Sequence, residues 1–399
     1  MKDLRNWVTD MSHKYPIYHL YAPAGSGKTA IARTLADTFS RFNHLSRKYL
    51  LASFFFSRTV EGRNGTANFI STIAYQVAIN LPSALRFIRE AIDQDPSLPS
   101  RSLLTQLHSL ILNPLRQAGQ QATALEKTSW PRLIVLDGLD ECFGEDAQIN
   151  ILNSVTELAR SCPFPLAIFV SCRPELHIRS AFRTGLLNEL SWQICLSNQY
   201  ESNHDIRLFL VAEFKNIREA HSNIQEIPQD WPDSETVEML VRKSSGHFIY
   251  AAVVIQYVKV LYDNPINRLK VVYGLAENHD DEKPFAQLDA LYLHILDSIK
   301  TRHRPVVMAV LRFILALECP VPAWILPFDE CTLKYGVAGL TDILIQFTSN
   351  NLTFIHASFS DFLLQRNRAG QHYVDLGQAC ATVAILLFDN LVNLRKSTL

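Results

Sequence analysis

The sequence contains few of the residues that mark several specialised classes of protein. Only 14 of its 399 residues are Gly and 18 are Pro, which excludes collagen-like and low-complexity chains and favours long helices. Charged residues make up 19 % of the chain and hydrophobic residues 48 %, so it is not too polar to bury a core. The composition indicates a compact, helix-rich globular protein that is long enough for two to three domains.

The sequence also lacks an excess of charge of either sign. Thirty-eight Lys and Arg residues stand against 39 Asp and Glu, a net charge of −1. Nucleic-acid binding is driven by basic residues that release counterions, so we expect no nucleic-acid partner. The N-terminus has no apolar signal-peptide core, and the longest clean apolar run, residues 379–388, is about half of the ~20 residues that span a bilayer. We therefore expect no membrane partner.

The seven cysteines are dispersed, and no two of them form a Cys-x-x-Cys pair. A secreted disulfide framework or a zinc ribbon needs close and even spacing. The reducing cytosol is the simplest compartment for such a chain, so we expect a cytoplasmic protein.

Short apolar runs alternate with helical patterns in the first half of the chain. The candidate strands are residues 16–21, 49–56, 133–136, 166–170 and 193–196. Strands that alternate with helices predict βαβ units and a parallel sheet. The sequence thus predicts an α/β fold over residues 1–196, with a parallel sheet flanked by helices.

The strand signal largely stops beyond residue 197. Helical patterns cover residues 205–219, 234–243, 246–262, 285–300, 305–317, 336–345 and 358–365. A polar patch at 277–284 marks a second boundary, and Asn350-Asn351 fits a hairpin turn between runs at 344–349 and 352–356. We predict a small helical domain over 197–276 and a winged-helix-like domain with a C-terminal helix over 277–399.

The sharpest motif follows the first candidate strand and precedes a helical pattern. It is the run Ala22, Pro23, Ala24, Gly25, Ser26, Gly27, Lys28 and Thr29, with Ala30 after it. The run fits a phosphate-binding loop with Ala in place of the first Gly, in which Gly25 and Gly27 let backbone N–H groups turn toward phosphate oxygens. Lys28 would supply charge to the outer phosphates and Thr29 a hydroxyl to Mg²⁺. An accidental glycine-rich turn is the alternative.

A second motif is a buried strand that ends in acids. Leu133–Leu136 is followed by Asp137-Gly138-Leu139-Asp140-Glu141. Since α/β sheets bind ligands at the carboxyl ends of their strands, Asp137 is placed to hold the Mg²⁺ that Thr29 also contacts. Gly138 stands where many ATPases have a catalytic Glu, so the acid that orients water would be Asp140 or Glu141. Taken alone, such a run is more often a strand that meets solvent.

Two further residues are candidates for sensing the nucleotide. Arg173 follows the next strand, beside that of Asp137, and could reach a γ-phosphate; a surface arginine held by Pro174 is the alternative. His356 ends a strand in the run 354–363, where Ser358 and Asp361 fit a capping box. By itself, His356 reads as a core histidine.

Together these segments resemble the NACHT family of signal-transduction NTPases, the STAND class that includes NOD-like receptors. The resemblance rests on APAGSGKT, LIVLDGLDEC, FVSCRPE, SSGHFIYAA and FIHASFSDFL, and is closest to the fungal subgroup whose module is also described as nephrocystin-like N-terminal. It implies an ATP/ADP- and Mg²⁺-binding domain, then a helical and a winged-helix domain. It also implies that His356 contacts the β-phosphate of ADP in a closed form. Where the family often has Gly-x-Pro, this sequence has Gly246-His247-Phe248, without the Pro.

The resemblance implies a switch, in which ADP favours a closed state, ATP favours an open state that self-associates, and hydrolysis is slow. The family usually carries protein effector and sensor modules at its flanks, for which this sequence has no room. A truncated nucleotide-binding scaffold or gene fragment is therefore one alternative. A P-loop small-molecule kinase is another, but it leaves the helical half of the chain without a purpose.

Overall fold

The computed structural model describes residues 1–10, 12–40, 48–58, 60–196, 202–220, 227–259, 263–277, 285–348 and 350–397. Contacts between Cα atoms divide the chain into two units. The first comprises Met1–Pro23 with Gly27–Leu196, and the second comprises Ala24–Ser26 with Ser197–Leu399. Most of the polar patch at 277–284 lies outside the described residues.

A five-stranded parallel sheet organises the first unit. Its strands are β1 (Ile17–Tyr21), β2 (Leu50–Phe55), β3 (Leu133–Asp137), β4 (Ala167–Cys172) and β5 (Ser191–Cys195). They are ordered β2-β3-β4-β1-β5, so β4 lies between the strand that leads into the loop at 22–30 and the strand that ends at Asp137. This confirms the predicted α/β class. Strand β5 begins two residues before its predicted start.

Helices cover both faces of this sheet. They are α1 (Lys2–Thr9), α2 (Lys28–Ser40), α3 (Phe69–Asn80), α4 (Pro82–Gln94), α5 (Leu103–Leu107), α6 (Asn113–Gln121), α7 (Ala124–Ser129), α8 (Glu145–Ser161), α9 (Leu176–Arg183) and α10 (Gly185–Leu190). Alternate residues of a strand point to opposite faces. In β3, Leu133 and Val135 join the core under α1 and α2, whereas Ile134 and Leu136 join the core under α3, α4 and α8. A sheet covered in this way requires the continuous apolar runs seen in the sequence.

The second unit is mainly helical. Its helices are α11 (Ser202–Ala220), α12 (Ser234–Ser244), α13 (Phe248–Val258), α14 (Pro265–Glu277), α15 (Ala286–Asp297), α16 (Arg304–Leu317), α17 (Glu330–Val337), α18 (Ala357–Leu363), α19 (Arg366–Ala369) and α20 (Leu376–Ser397). One cluster of buried apolar side chains runs through it from Ile206 to Val383.

A small antiparallel sheet, ordered β6-β8-β7, lies in the second unit. It contains β6 (Val321–Pro322), β7 (Ile345–Thr348) and β8 (Asn351–Phe354). The predicted hairpin is thus confirmed over its described residues, and Asn350 in the turn adopts φ 65°, a conformation that Asn tolerates well.

The helix predicted at 336–345 is wrong. Asp329 caps α17 by accepting a hydrogen bond from the Thr332 N–H at 2.9 Å, so this helix starts earlier and ends at Val337. Asp342 then adopts φ 64°, which interrupts any helix, and the chain continues into β7.

No helix in the part of the chain that the structure describes is both long enough and apolar enough to cross a membrane.

Replacing Phe169 by Ala should destabilise the first unit. Its side chain is completely buried in β4 and stacks on Tyr18 with 6.0 Å between ring centroids. Losing a buried aromatic side chain costs about 3–5 kcal/mol, so denaturant unfolding should show a reduction of this size. Leu125→Ala, at a side chain that is 80 % exposed, serves as the control and should stay within about 0.5 kcal/mol of wild type. Equal losses in the two variants would contradict the assigned core.

Candidate functional site

The loop between β1 and α2 presents the candidate phosphate-binding residues. Gly25 adopts φ 74°, and a Cβ atom at this position would overlap the side chain of Ile249, which belongs to the same unit as Ala24–Ser26. Only Gly fits both requirements. Lys28 is the first residue of α2 and Thr29 is the second, so both lie at the positive end of a helix dipole.

Lys28 is held back against the start of its own loop. Its Nζ donates to the carbonyl oxygens of Ala22, at 2.7 Å, and Pro23, at 2.8 Å. Burial lowers the pKa of the Lys28 ammonium, and the carboxylate of Asp140 opposes that shift. A partly desolvated cation whose observed hydrogen bonds go to backbone carbonyl groups is a suitable partner for phosphate oxygens.

Asp137 ends β3 and is in direct contact with the loop. The Ser171 hydroxyl donates to Oδ1 of its carboxylate, and the Thr29 hydroxyl lies close enough to lower the pKa of the same carboxyl. The side chain is buried, and this burial raises its pKa despite the two hydroxyl groups and the nearby Lys28 charge. Thr29 and Asp137 were each predicted to hold Mg²⁺, and the structure brings them together.

This pair suits Mg²⁺ better than an ion that requires an all-protein cage. Among the described residues, no group of three or more His, Cys, Asp or Glu side chains could hold a metal. Mg²⁺ usually takes one or two protein oxygens and completes its octahedron with water and substrate phosphates. A buried carboxylate with a raised pKa would also gain from a nearby cation. The chemistry of the donors therefore fits Mg²⁺ with a nucleotide.

A sharp turn separates Asp137 from the next two acids. Gly138 adopts φ 72°, and its N–H donates to the Ser171 carbonyl at 3.0 Å. A Cβ atom here would also lie 3.4 Å from the Phe56 carbonyl oxygen. The chain can therefore turn at once into a short 3₁₀ segment, Leu139–Glu141, which carries both acids.

Asp140 and Glu141 have different partners. The Oδ1 of Asp140 accepts the Arg173 N–H at 2.8 Å, and its Oδ2 lies 3.2 Å from the Arg173 Nε. Glu141 instead accepts the Arg58 N–H at 3.3 Å through Oε2. Burial raises the pKa of the Glu141 carboxyl, and the Asp140 charge adds to the increase. Asp140 thus holds Arg173 through both carboxylate oxygens, whereas the Glu141 carboxylate accepts one backbone hydrogen bond.

His356 caps a helix in the second unit. Its Nδ1 accepts the Ser358 N–H at 3.0 Å, which makes His356 the N-cap of α18. The Ser358 hydroxyl lies 2.8 Å from the same nitrogen and 2.8 Å from the Tyr292 hydroxyl. The capping box predicted at Ser358 and Asp361 is therefore wrong, because the cap lies two residues earlier. The contact of His356 with a nucleotide stays a prediction.

Three contact residues were not identified from the sequence as parts of the site. Ser171, directly before Cys172 and Arg173, holds Asp137; Arg58, beyond β2, holds Glu141; and Gln148 in α8 contacts the same turn. Only Ser171 had a usable signal, because adjacent parallel strands end at the same edge of a sheet and β4 was already predicted.

Comparisons with known proteins include one family match and two distant structural likenesses. Residues 1–173 match the family described as Nephrocystin 3, N-terminal. The comparison with curated proteins found no match.

Two solved structures show distant likeness. A structure of Drosophila ORC bound to DNA is 13 % identical with a TM-score of 0.40, covering 88 % of this chain and 82 % of that one. The Aeropyrum pernix ORC2 protein, solved as ADPNP-ADP complexes, is 10 % identical with a TM-score of 0.35, covering 98 % and 92 % respectively. Likeness this low carries no argument about the function of this chain.

Replacing Asp137 by Asn should separate folding from metal binding. Because the folded-state pKa is raised above 3.8, wild type loses stability as the pH rises through that pKa, and Asn does not. At pH 7 the nucleotide-free variant should therefore melt at or above the wild-type temperature. Mg²⁺·ATP at 100 times its Kd adds about 2.7 kcal/mol to the free energy of unfolding of a protein that binds it. EDTA should abolish the Mg²⁺-dependent part of this stabilisation in wild type, and Asp137→Asn should lack that part.

Asp146→Asn, at an exposed acid in the same unit, is the matched control and should keep the full effect of Mg²⁺. A strongly destabilised Asp137→Asn variant, or one that still responds to Mg²⁺ as wild type does, would rule out this reading of Asp137.

Proposed function

We propose that this chain is an ATP/ADP-binding switch of the NACHT signal-transduction type, with Mg²⁺ held by Thr29 and Asp137. The observation that carries the proposal is the contact between Thr29 in the loop and the buried Asp137 at the end of β3. It joins the two motifs on which nucleotide binding depends, with the Lys28 cation close enough to influence the Asp137 carboxylate.

The charges around this contact support a nucleotide with its metal. Asp137, Asp140 and Glu141 bring three carboxylates, which face the cations of Lys28, Arg173 and Arg58. A divalent cation would offset the negative charge that the nucleotide phosphates add, and the loop amides with Lys28 accommodate those phosphates. We assign Glu141 to orienting the attacking water and Arg173, fixed by Asp140, to sensing the γ-phosphate.

The proposed hydrolysis is slow. Gly138 removes the acid directly after Asp137, and Glu141 stands further along a separate turn. We expect turnover well below the common ~10 s⁻¹, which suits a timer better than a metabolic enzyme. In the ATP state the chain would self-associate in the cytoplasm, working with effector or sensor modules of the kind that are fused to NACHT proteins. The helical and winged-helix-like domains over 197–276 and 277–399 would carry the closed and open states.

The first test is nucleotide content. We expect ADP in the supernatant of the purified, denatured protein by mass spectrometry, and none in Lys28→Ala. Losing a charged hydrogen-bonding group costs about 1.5–3 kcal/mol of nucleotide binding. Arg33→Ala removes an exposed cation from the same helix and should retain ADP. If wild type carries no nucleotide and ATP does not raise its Tm, nucleotide binding itself is refuted.

The second test concerns the proposed ADP contact of His356. His356→Asn keeps an N-cap acceptor for Ser358 and removes the imidazole, so α18 should stay intact. If His356 couples ADP to closure, ADP affinity should fall about fivefold to 150-fold and ATP affinity less. Calorimetry on both nucleotides measures the ratio, with His356→Ala showing the added cost of losing the cap. An unchanged ratio in folded His356→Asn would leave His356 with a capping role alone.

A further inference from the structure

The peptide between Asp140 and Glu141 is held by side chains from two other elements. The Asp140 carbonyl oxygen accepts from Arg58 Nη2 at 3.3 Å and from Gln148 Nε2 at 3.4 Å. Gln148 Nε2 also donates to the Cys142 carbonyl oxygen at 2.6 Å. The amide of Gln148 therefore spans the turn that carries both acids, and its orientation follows because two carbonyl groups require a donor.

Gln148 is itself oriented by a second residue. Its Oε1 accepts from His177 Nε2 at 2.6 Å, and Gln148 is only 6 % exposed. His177 lies in α9, on the segment that begins with Arg173. The other ring nitrogen of His177 lies 3.7 Å from a Glu145 carboxylate oxygen. The segment after β4 is thus tied to the acidic turn twice, through Asp140 with Arg173 and through Gln148 with His177.

We propose that Gln148, oriented by His177, is a positioning residue for ATP hydrolysis, which it supports by fixing the Asp140–Glu141 peptide; this inference rests on the proposed function. Rotation of that peptide would redirect both carboxylates, because their Cα–Cβ bonds are attached on either side of it. The observed hydrogen bonds of the Gln148 side chain go to Asp140, Cys142 and His177, and none of these residues lies in the loop at 22–30. Its loss should affect the chemical step and spare nucleotide binding.

The primary test is Gln148→Met, which keeps the length of the side chain and removes its amide. A small misplacement of a reacting group can cost on the order of a hundredfold in rate, so kcat should fall roughly tenfold to a hundredfold while the Kd values for ATP and ADP stay within about twofold. Glu141→Gln gives the reference for a direct loss of the acid.

Gln76→Met is the matched control. Gln76 in α3 also bridges backbone groups, donating to the Ser53 carbonyl at 2.8 Å and accepting the Ser53 N–H at 2.9 Å, but on β2 instead of the acidic turn. It should lose stability in the same way and keep kcat when folded. A purely structural role for Gln148 predicts that the two variants behave alike.

The partner of Gln148 supplies an independent measurement, which also applies if Gln148→Met fails to fold. His177→Ala should lower kcat, and His177→Gln, whose amide can reach the position of Nε2, should restore most of it. The double variant Gln148→Met with His177→Ala should be no slower than Gln148→Met alone, because His177 acts on the acidic turn only through its hydrogen bond to Gln148. Additive losses, or failure of His177→Gln to restore kcat, would overturn the inference.

The outcomes separate this inference from the proposed function. Wild-type kcat in folded Gln148→Met, or equal losses of kcat and nucleotide affinity in that variant, would overturn the positioning role. Neither result would contradict the proposal that the wild-type protein binds nucleotide. A wild type that binds ATP without turning it over would overturn the positioning role as well. A wild type that binds no nucleotide would overturn the proposed function, and the inference with it.

Discussion

Burial of the Asp137 carboxylate is the constraint on which the rest of the site depends. An ionised acid removed from water is costly unless hydrogen bonds and opposite charge compensate it. Here Ser171 supplies a hydrogen bond from β4, the Thr29 hydroxyl at the start of α2 lies nearby, and Lys28 supplies charge. These partial compensations bring three separate segments of the chain to one point. The pKa of Asp137 is still raised, so the compensation is incomplete without a further cation.

The remaining acids are arranged around that point by backbone groups more than by charge. Asp140 receives the Arg173 N–H, and Glu141 receives the Arg58 N–H. A backbone N–H holds a carboxylate more rigidly than a flexible lysine side chain would. Because Asp140 and Glu141 are held by different backbone groups, they can have different roles although they are adjacent in sequence. Arg173 gains most from this arrangement, because Asp140 contacts it through both oxygens.

The sheet and the loop could be predicted from the sequence because they depend on local patterns. Buried parallel strands need apolar runs such as Leu133–Leu136, and a phosphate-binding loop needs its glycines at fixed spacing. The helix predicted at 336–345 failed because helical periodicity does not reveal where a helix is capped, and Asp329 caps it earlier. The same limitation placed the cap of α18 at Ser358 instead of His356.

The supporting residues of the site could not be predicted, because their contacts are distant in sequence. Arg58 meets Glu141 across 83 positions, and His177 meets Gln148 across 29. Gln148 lies in the first turns of α8, where a polar residue normally indicates solvent. Only the packing of α8 against the acidic turn converts it into a buried donor.

The left-handed turn at Gly138 limits which residues can follow Asp137. An L-amino acid at this position would carry roughly 1–2 kcal/mol of backbone strain, and its Cβ atom would lie 3.4 Å from the Phe56 carbonyl oxygen. The turn that presents Asp140 and Glu141 therefore disfavours an acid directly after Asp137, although Asp342 shows that an acid can adopt such a conformation in this chain. In the proposed reaction, main-chain shape at Gly138 would thus be one of the features that keep turnover slow.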